Sequence, residues 1–142
     1  HKNIQLANYT MTLIRKNELL QKIKRELEKQ KDELGARYPN FLYERISKFV
    51  DQGITSEDEW KIFENHFDQA HENFFKRLLT NFPDLTQSDL KLCAYLRMNL
   101  SSKEIASLLN ITTRGVEIAR YRLRKRLNLD TEENLVEFIL SF

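Results

Sequence analysis

The residues best placed to do chemistry lie on a helix expected to begin at Thr112 and run to about Leu127. Stepping about 100° per residue from Val116, the side chains of Ala119, Leu123 and Leu127 fall near it and form a face made for packing. Opposite stand Arg114, Ile118, Tyr121 and Lys125, flanked by Glu117 and Arg122. A merely solvated face has no use for Ile118. A face entering a DNA major groove does, because an apolar side chain can touch a thymine methyl while Arg and Lys reach guanine or phosphate. Glu117 could accept from cytosine N4, although its charge repels phosphate. Arg120, Arg122, Arg124, Lys125 and Arg126 crowd the same stretch, and such a cluster is the footprint of a phosphate-binding surface. Charge alone fits a solvated helix equally well, so the periodicity has to decide.

Other reactive side chains suggest no catalysis. His66 and His71 are five residues apart and do not share a face as zinc ligands at i and i+4 would. His71-Glu72 is faintly similar to the phosphoacceptor of sensor kinases, but the proline that usually follows is missing. Cys93 is the single cysteine, which excludes a disulfide framework or a multi-thiolate metal site. With Leu92 and Leu96 beside it, Cys93 reads as a small buried hydrophobe rather than a redox switch. No serine stands in a nucleophile-elbow setting. The chain is therefore expected to be no enzyme and to need no metal or cofactor, with no small-molecule ligand in this segment.

The elements that must position the basic helix are legible in the punctuation. With 3 Gly and 2 Pro in 142 residues, an all-α protein is expected, because sheets and phosphate-cradling loops need more chain-breakers. Leu6, Leu13, Leu20, Leu27 and Leu34 repeat every seven residues with Ile23 between two of them, predicting a long coiled-coil helix over residues 1–36 that pairs two copies of the chain. The competing reading folds that helix back onto the later ones. Residues 37–84 read as a connecting helical module. It holds a short helix from Phe41 to Asp51 closed by Gly53, with Phe41, Leu42, Ile46, Phe49 and Val50 as its apolar stripe. Ser56 with Glu59 has capping-box spacing and opens one long helix, with Trp60, Phe63, Phe67, Phe74 and Leu78 on its buried face. Thr86 with Asp89 and Ser101 with Glu104 have capping-box spacing and open the first two helices of residues 85–142. Thr112 caps the third, and Asp130 or Thr131 is expected to cap a fourth. A scaffold helix, a tight turn and a basic helix together describe a helix-turn-helix.

Charge is segregated along these segments. Residues 85–130 carry 9 basic and 4 acidic side chains, whereas residues 38–84 carry 5 and 9. The acidic block could bind a protein such as RNA polymerase or occlude the basic helix within the chain. No apolar run approaches the ~20 residues of a membrane span. The opening His-Lys-Asn suggests a fragment of something longer.

Leu85-Thr86-Gln87-Ser88-Asp89-Leu90, Ser102-Lys103-Glu104-Ile105-Ala106, Leu109-Asn110-Ile111-Thr112 and Arg124-Lys125-Arg126-Leu127 resemble a LuxR-type (NarL-like) DNA-binding domain over residues 85–142. Leu92 to Leu100 and Arg114-Gly115-Val116-Glu117 resemble one subgroup, the cytoplasmic end of membrane-spanning bacterial regulators with propeller and Tyr-rich sensor domains, associated with carbohydrate sensing. The resemblance implies base reading by Glu117, Ile118 and Tyr121, and phosphate contacts by Ser102, Lys103, Thr112, Thr113 and the basic cluster. The sequence departs from the family pattern at Gly115, Glu117 and Ala119, where Thr, Lys and His are usual. The expectation is a cytoplasmic, homodimeric transcription regulator that binds double-stranded DNA, with RNA polymerase weighed as a further partner. A coiled-coil signalling module whose helix-turn-helix docks a protein is the alternative, and a sigma-factor-like promoter-binding domain shares the fold.

Overall fold

The computed structural model describes every residue except Thr55. Among the described residues it holds eight α-helices and no strand: α1 (Lys2–Leu34), α2 (Asn40–Ile54), α3 (Glu57–Ala70), α4 (Phe74–Asn81), α5 (Gln87–Arg97), α6 (Ser102–Leu109), α7 (Thr113–Arg126) and α8 (Leu135–Ser141). At 1.5 Å per residue α1 is about 50 Å long. It ends at Gly35, whose φ of 57° needs a residue without Cβ strain.

The chain turns at Gly35–Arg37 and α2 runs back along α1. Contacts descend α2 as they climb α1, so the pair is an antiparallel hairpin: Leu20 at Gly53, Lys24 on Asp51 at 2.9 Å, Lys31 over the Tyr43 ring at 4.2 Å. Gly53, expected to close this helix, lies inside it. A Cβ there would come within 2.9 Å of Leu20 Cδ1, which marks a close approach of the Leu20 side chain to α2.

The first half of α1 does something the heptad pattern does not announce. Leu6 and Leu13 are buried in the chain's own core, with Trp60, Phe63 and Phe67 of α3, Phe74, Phe75 and Leu78 of α4, and the apolar faces of α5 to α8. They are therefore not free to form an intermolecular seam, and the folding-back reading holds for this half. That core contains no residue between Leu13 and Trp60, which leaves the far end of the α1–α2 hairpin outside it. Residues of all three segments read from the sequence therefore contribute to one core.

The expected long Trp/Phe helix is two helices. Glu72 and Asn73 take φ of 41° and 61°, a left-handed step that asparagine tolerates better than most residues. The step lets the adjacent Phe74 and Phe75 both reach the core against Phe67, at ring separations of 5.7 and 4.9 Å, which one straight helical stripe would not.

Of the three expected capping boxes, Thr86 with Asp89 and Ser101 with Glu104 are complete. Ser56 accepts from Glu59 N at 3.3 Å, but the Glu59 carboxylate is taken by Lys16. The Thr112 hydroxyl accepts from Gly115 N at 3.0 Å. The cap of α8 is neither Asp130 nor Thr131. Asn134 caps it, while Asp130 accepts from the Glu132 and Glu133 amides and shapes the preceding turn. α5, α6 and α7 each stop at an asparagine of positive φ, Asn99, Asn110 and Asn128, followed by an apolar residue whose amide donates back into the helix. Only glycine adopts that conformation more readily.

Candidate nucleic-acid interface

α6 and α7 meet through a three-residue connection, Asn110 to Thr112. Ile111 N donates to Ala106 O at 3.0 Å and the Thr112 hydroxyl caps α7, so both ends of the connection are tied down. Ile105, Val116, Leu123 and Leu127 fill the space beneath, each at most 2% exposed. The angle of α7 on α6 thus follows from short-range bonds and a filled core.

With that face buried, the opposite one turns outward as expected. Ile118 is 44% exposed and Tyr121 60%, high values for an apolar and an aromatic side chain on a helix so well packed behind. Thr113, Arg114, Glu117, Ile118 and Tyr121 line a shallow hollow of about 480 Å³. Lys125 Nζ lies 4.5 Å from the Tyr121 ring centre, a cation–π contact that orders both side chains at the rim. Arg114, Arg122 and Lys125 are exposed around it. At the start of α6, Lys103 is exposed and Ser102 half-buried. Thr112 spends an oxygen lone pair on its cap, which leaves the hydroxyl proton to donate outward.

The basic cluster divides into two kinds of residue. Arg126 Nη1 holds Asp89 of α5 at 2.6 and 2.7 Å, and the Asp89 carboxylate also accepts from Thr86 N in the capping box. Arg124 Nη1 donates to Glu133 O at 2.7 Å, and its other terminal nitrogen donates to Asp130 O, closing the α7–α8 loop. These two arginines bond within the chain's own fold, Arg126 to α5 and Arg124 to the α7–α8 loop. Arg122 and Lys125 remain on the outward face.

The dimerisation residues also divide. Leu6 and Leu13 are core; Leu20 and Leu27 are half-buried; Ile23 and Leu34 are 40% and 44% exposed. On α2 only Val50 of the expected apolar stripe is buried, while Phe41, Leu42, Ile46 and Phe49 stay exposed. Taken at the α1–α2 contacts above, the helical steps put Ile23, Leu27 and Leu34 on the same side of the hairpin as Leu42, Ile46 and Phe49.

Sequence reasoning missed the joint between α1 and α6. Asn17, 2% exposed, donates from Nδ2 to Ser107 O at 3.0 Å, and Gln21 Nε2 reaches the same carbonyl at 3.3 Å. A polar residue recurring beside an apolar heptad is ordinary on a helix surface, so the signal was invisible without the fold. Cys93 is fully buried, and burial, with Asp89 nearby, pushes its thiol up to about 12, so it stays protonated and unreactive. Among the described residues no cluster of His, Cys, Asp or Glu could hold a metal ion, and no helix is long and apolar enough to cross a membrane.

Compared with known proteins, the chain matches no family model, and no curated protein and no solved structure matches it significantly.

Proposed function

We propose that this chain is the DNA-binding part of a LuxR-type transcription regulator, with α6 and α7 as its helix-turn-helix and α7 as the helix that enters the major groove. The observation that carries the reading is the outward face of α7, where Ile118 and Tyr121 are exposed among Arg114, Arg122 and Lys125 while the opposite face is fully packed. Exposed apolar atoms ringed by cations suit a surface that reads thymine methyls between phosphates. Glu117, Ile118 and Tyr121 take the base-reading role, and Ser102, Lys103, Thr112 and Thr113 hold the backbone on either side. A cytoplasmic location and an upstream sensor belong to the same reading.

The active form is a homodimer joined through the hairpin rather than through a lone coiled coil. Ile23, Leu27 and Leu34 with Leu42, Ile46 and Phe49 offer a two-helix apolar face, so two copies would form a four-helix contact. A dimer sets two recognition helices roughly 34 Å apart for half-sites one helical turn apart. The same exposed face supports the second reading, a module docking another protein.

Fluorescence anisotropy of the chain on labelled promoter and random duplexes at two salt concentrations tests the function. Salt-sensitive binding that drops at least tenfold in Tyr121→Ala/Lys125→Ala is expected. Undiminished binding by that variant removes α7 from the interface, and a folded chain without DNA affinity at low salt favours the docking module.

A further inference from the structure

We infer that α1 is itself part of the DNA-binding surface: Arg15, Lys22 and Arg25 form a phosphate track that continues the α6–α7 face. This rests on the DNA-binding reading above and extends its footprint to an element outside the helix-turn-helix. α1 runs beside the end of α6, where Asn17 and Gln21 bind the Ser107 carbonyl, and an open groove of about 900 Å³ separates the two helices. Its α1 wall carries Arg15, Lys22 and Arg25, and its other wall carries Lys103, Thr112 and Thr113. Those three are the residues assigned to phosphate in the proposed function. The groove meets the hollow on α7 at Thr113, which lines both, so cations run from α1 past the start of α7 to Arg114 without a change of face.

The pattern of ion pairing on α1 supports the assignment. Lys16 and Lys24 point toward the chain's own helices and both are matched, Lys16 by Glu59 at 2.5 Å and Lys24 by Asp51 at 2.9 Å. Arg15, Lys22 and Arg25 make no ion pair among the described residues, although Glu18 and Glu28 share the groove with them. Cations kept unmatched on one wall of a groove, while inward-facing ones are neutralised, call for an external anion. On the helix they fall within about 80° of one another and span about 15 Å. That length corresponds to roughly four phosphates of one strand at 3.4 Å of duplex axis each. Three cations spread over that length fit a nucleic-acid backbone better than a single small anion.

The test uses the whole chain on a labelled duplex, with anisotropy followed across a salt series. Arg15→Gln/Lys22→Gln/Arg25→Gln is compared with Lys48→Gln/Lys61→Gln/Lys76→Gln, which removes the same charge at exposed sites elsewhere, and with Tyr121→Ala. Neutralising three phosphate contacts should lower the slope of log affinity against log salt by about 2.7, so that the loss of affinity between 50 and 200 mM salt shrinks roughly 40-fold. The effect should be equal on all duplex sequences, unlike that of Tyr121→Ala, and the distal triple variant should keep the original slope. If the α1 triple variant keeps that slope while Tyr121→Ala weakens binding, the track is overturned and the DNA reading stands. If the unaltered chain binds no duplex at low salt, the DNA reading falls and takes the track with it. Should the triple variant melt early, Lys22→Gln alone must lower the slope by about 0.9, and failure to do so overturns the inference equally.

Discussion

His71 shows how one side chain couples the core to pH. Its ring stacks on Phe67 at 4.3 Å, and its Nδ1 accepts from Arg97 Nε at 3.1 Å, while Arg97 Nη1 ties α5 to the Ile139 carbonyl of α8. Only the neutral imidazole can accept, and a proton there would sit beside a guanidinium. Burial, and then the Arg97 charge, hold its pKa below the ordinary 6.5. The unfolded chain therefore binds the proton first as pH falls, so this stability is complete above about pH 6.5 and is lost progressively below it. Glu64 and Asp68 of α3 act in the opposite sense at lower pH, because burial raises their pKa values and the fold holds their protons longer. The melting temperature should fall between about pH 7.5 and about pH 5.5, and His71→Gln, which keeps an acceptor, should flatten that fall. An unchanged pH profile in the variant would assign the dependence to other groups. Single residues were unevenly legible. The capping boxes of α5 and α6 were read correctly because Ser or Thr three residues before Asp or Glu has one local use, whereas the α8 cap was misplaced because Asp130 spends its carboxylate on the preceding turn. The duties of Arg124 and Arg126 were hidden, because Asp89 and the Glu133 carbonyl approach them only in the folded chain.

For the elements, legibility followed the strength of local stop signals. α1 ended at Gly35, within the residues 1–36 expected for it, and α5, α6 and α7 began at their caps. The break between α3 and α4 carries neither Gly nor Pro, and its cause is the packing of Phe74 and Phe75, a tertiary effect. Leu6 and Leu13 failed as seam residues for a related reason: a heptad states that one face wants burial and does not say against what. Asn110 is the element-level feature on which the proposed interface depends. At φ 56° it ends α6, it lets Ile111 N bond back to Ala106, and it places Thr112 to cap α7. Asn110→Ala should cost about 1 kcal/mol through the left-handed backbone. In a chain of this size that lowers the melting temperature by about 3 °C. Asn110→Gly should be nearly neutral, since glycine bears no such penalty. Equal destabilisation by Ala and Gly would mean that the side-chain contact with Gln21, at 3.5 Å, matters more than the backbone.

At the scale of the whole molecule α1 belongs to two structures at once. Its first half is core, its second half is one arm of a projecting hairpin, and Asn17 and Gln21 fasten the transition to the last turn of α6. Any change in how the hairpin pairs would therefore act on the joint that sets α6, and through the three-residue connection on α7. Such an arrangement can transmit an upstream signal without a hinge, because α1 is one continuous helix. Coupling of this kind requires the hairpin face to be the dimer contact. Ile23→Glu/Phe49→Glu places two charges on that face at positions 40% and 57% exposed, outside the core, so the monomer fold should survive. Light scattering at micromolar concentration should then give the mass of one chain, where the unaltered protein should give two. Binding to a duplex with paired half-sites should weaken at least tenfold, while binding to a single half-site should change little, since α7 is untouched. If the variant stays dimeric, the two copies meet elsewhere and the hairpin face belongs to another partner. If it turns monomeric yet binds paired half-sites as well as before, pairing contributes nothing to recognition, and each chain reads DNA alone.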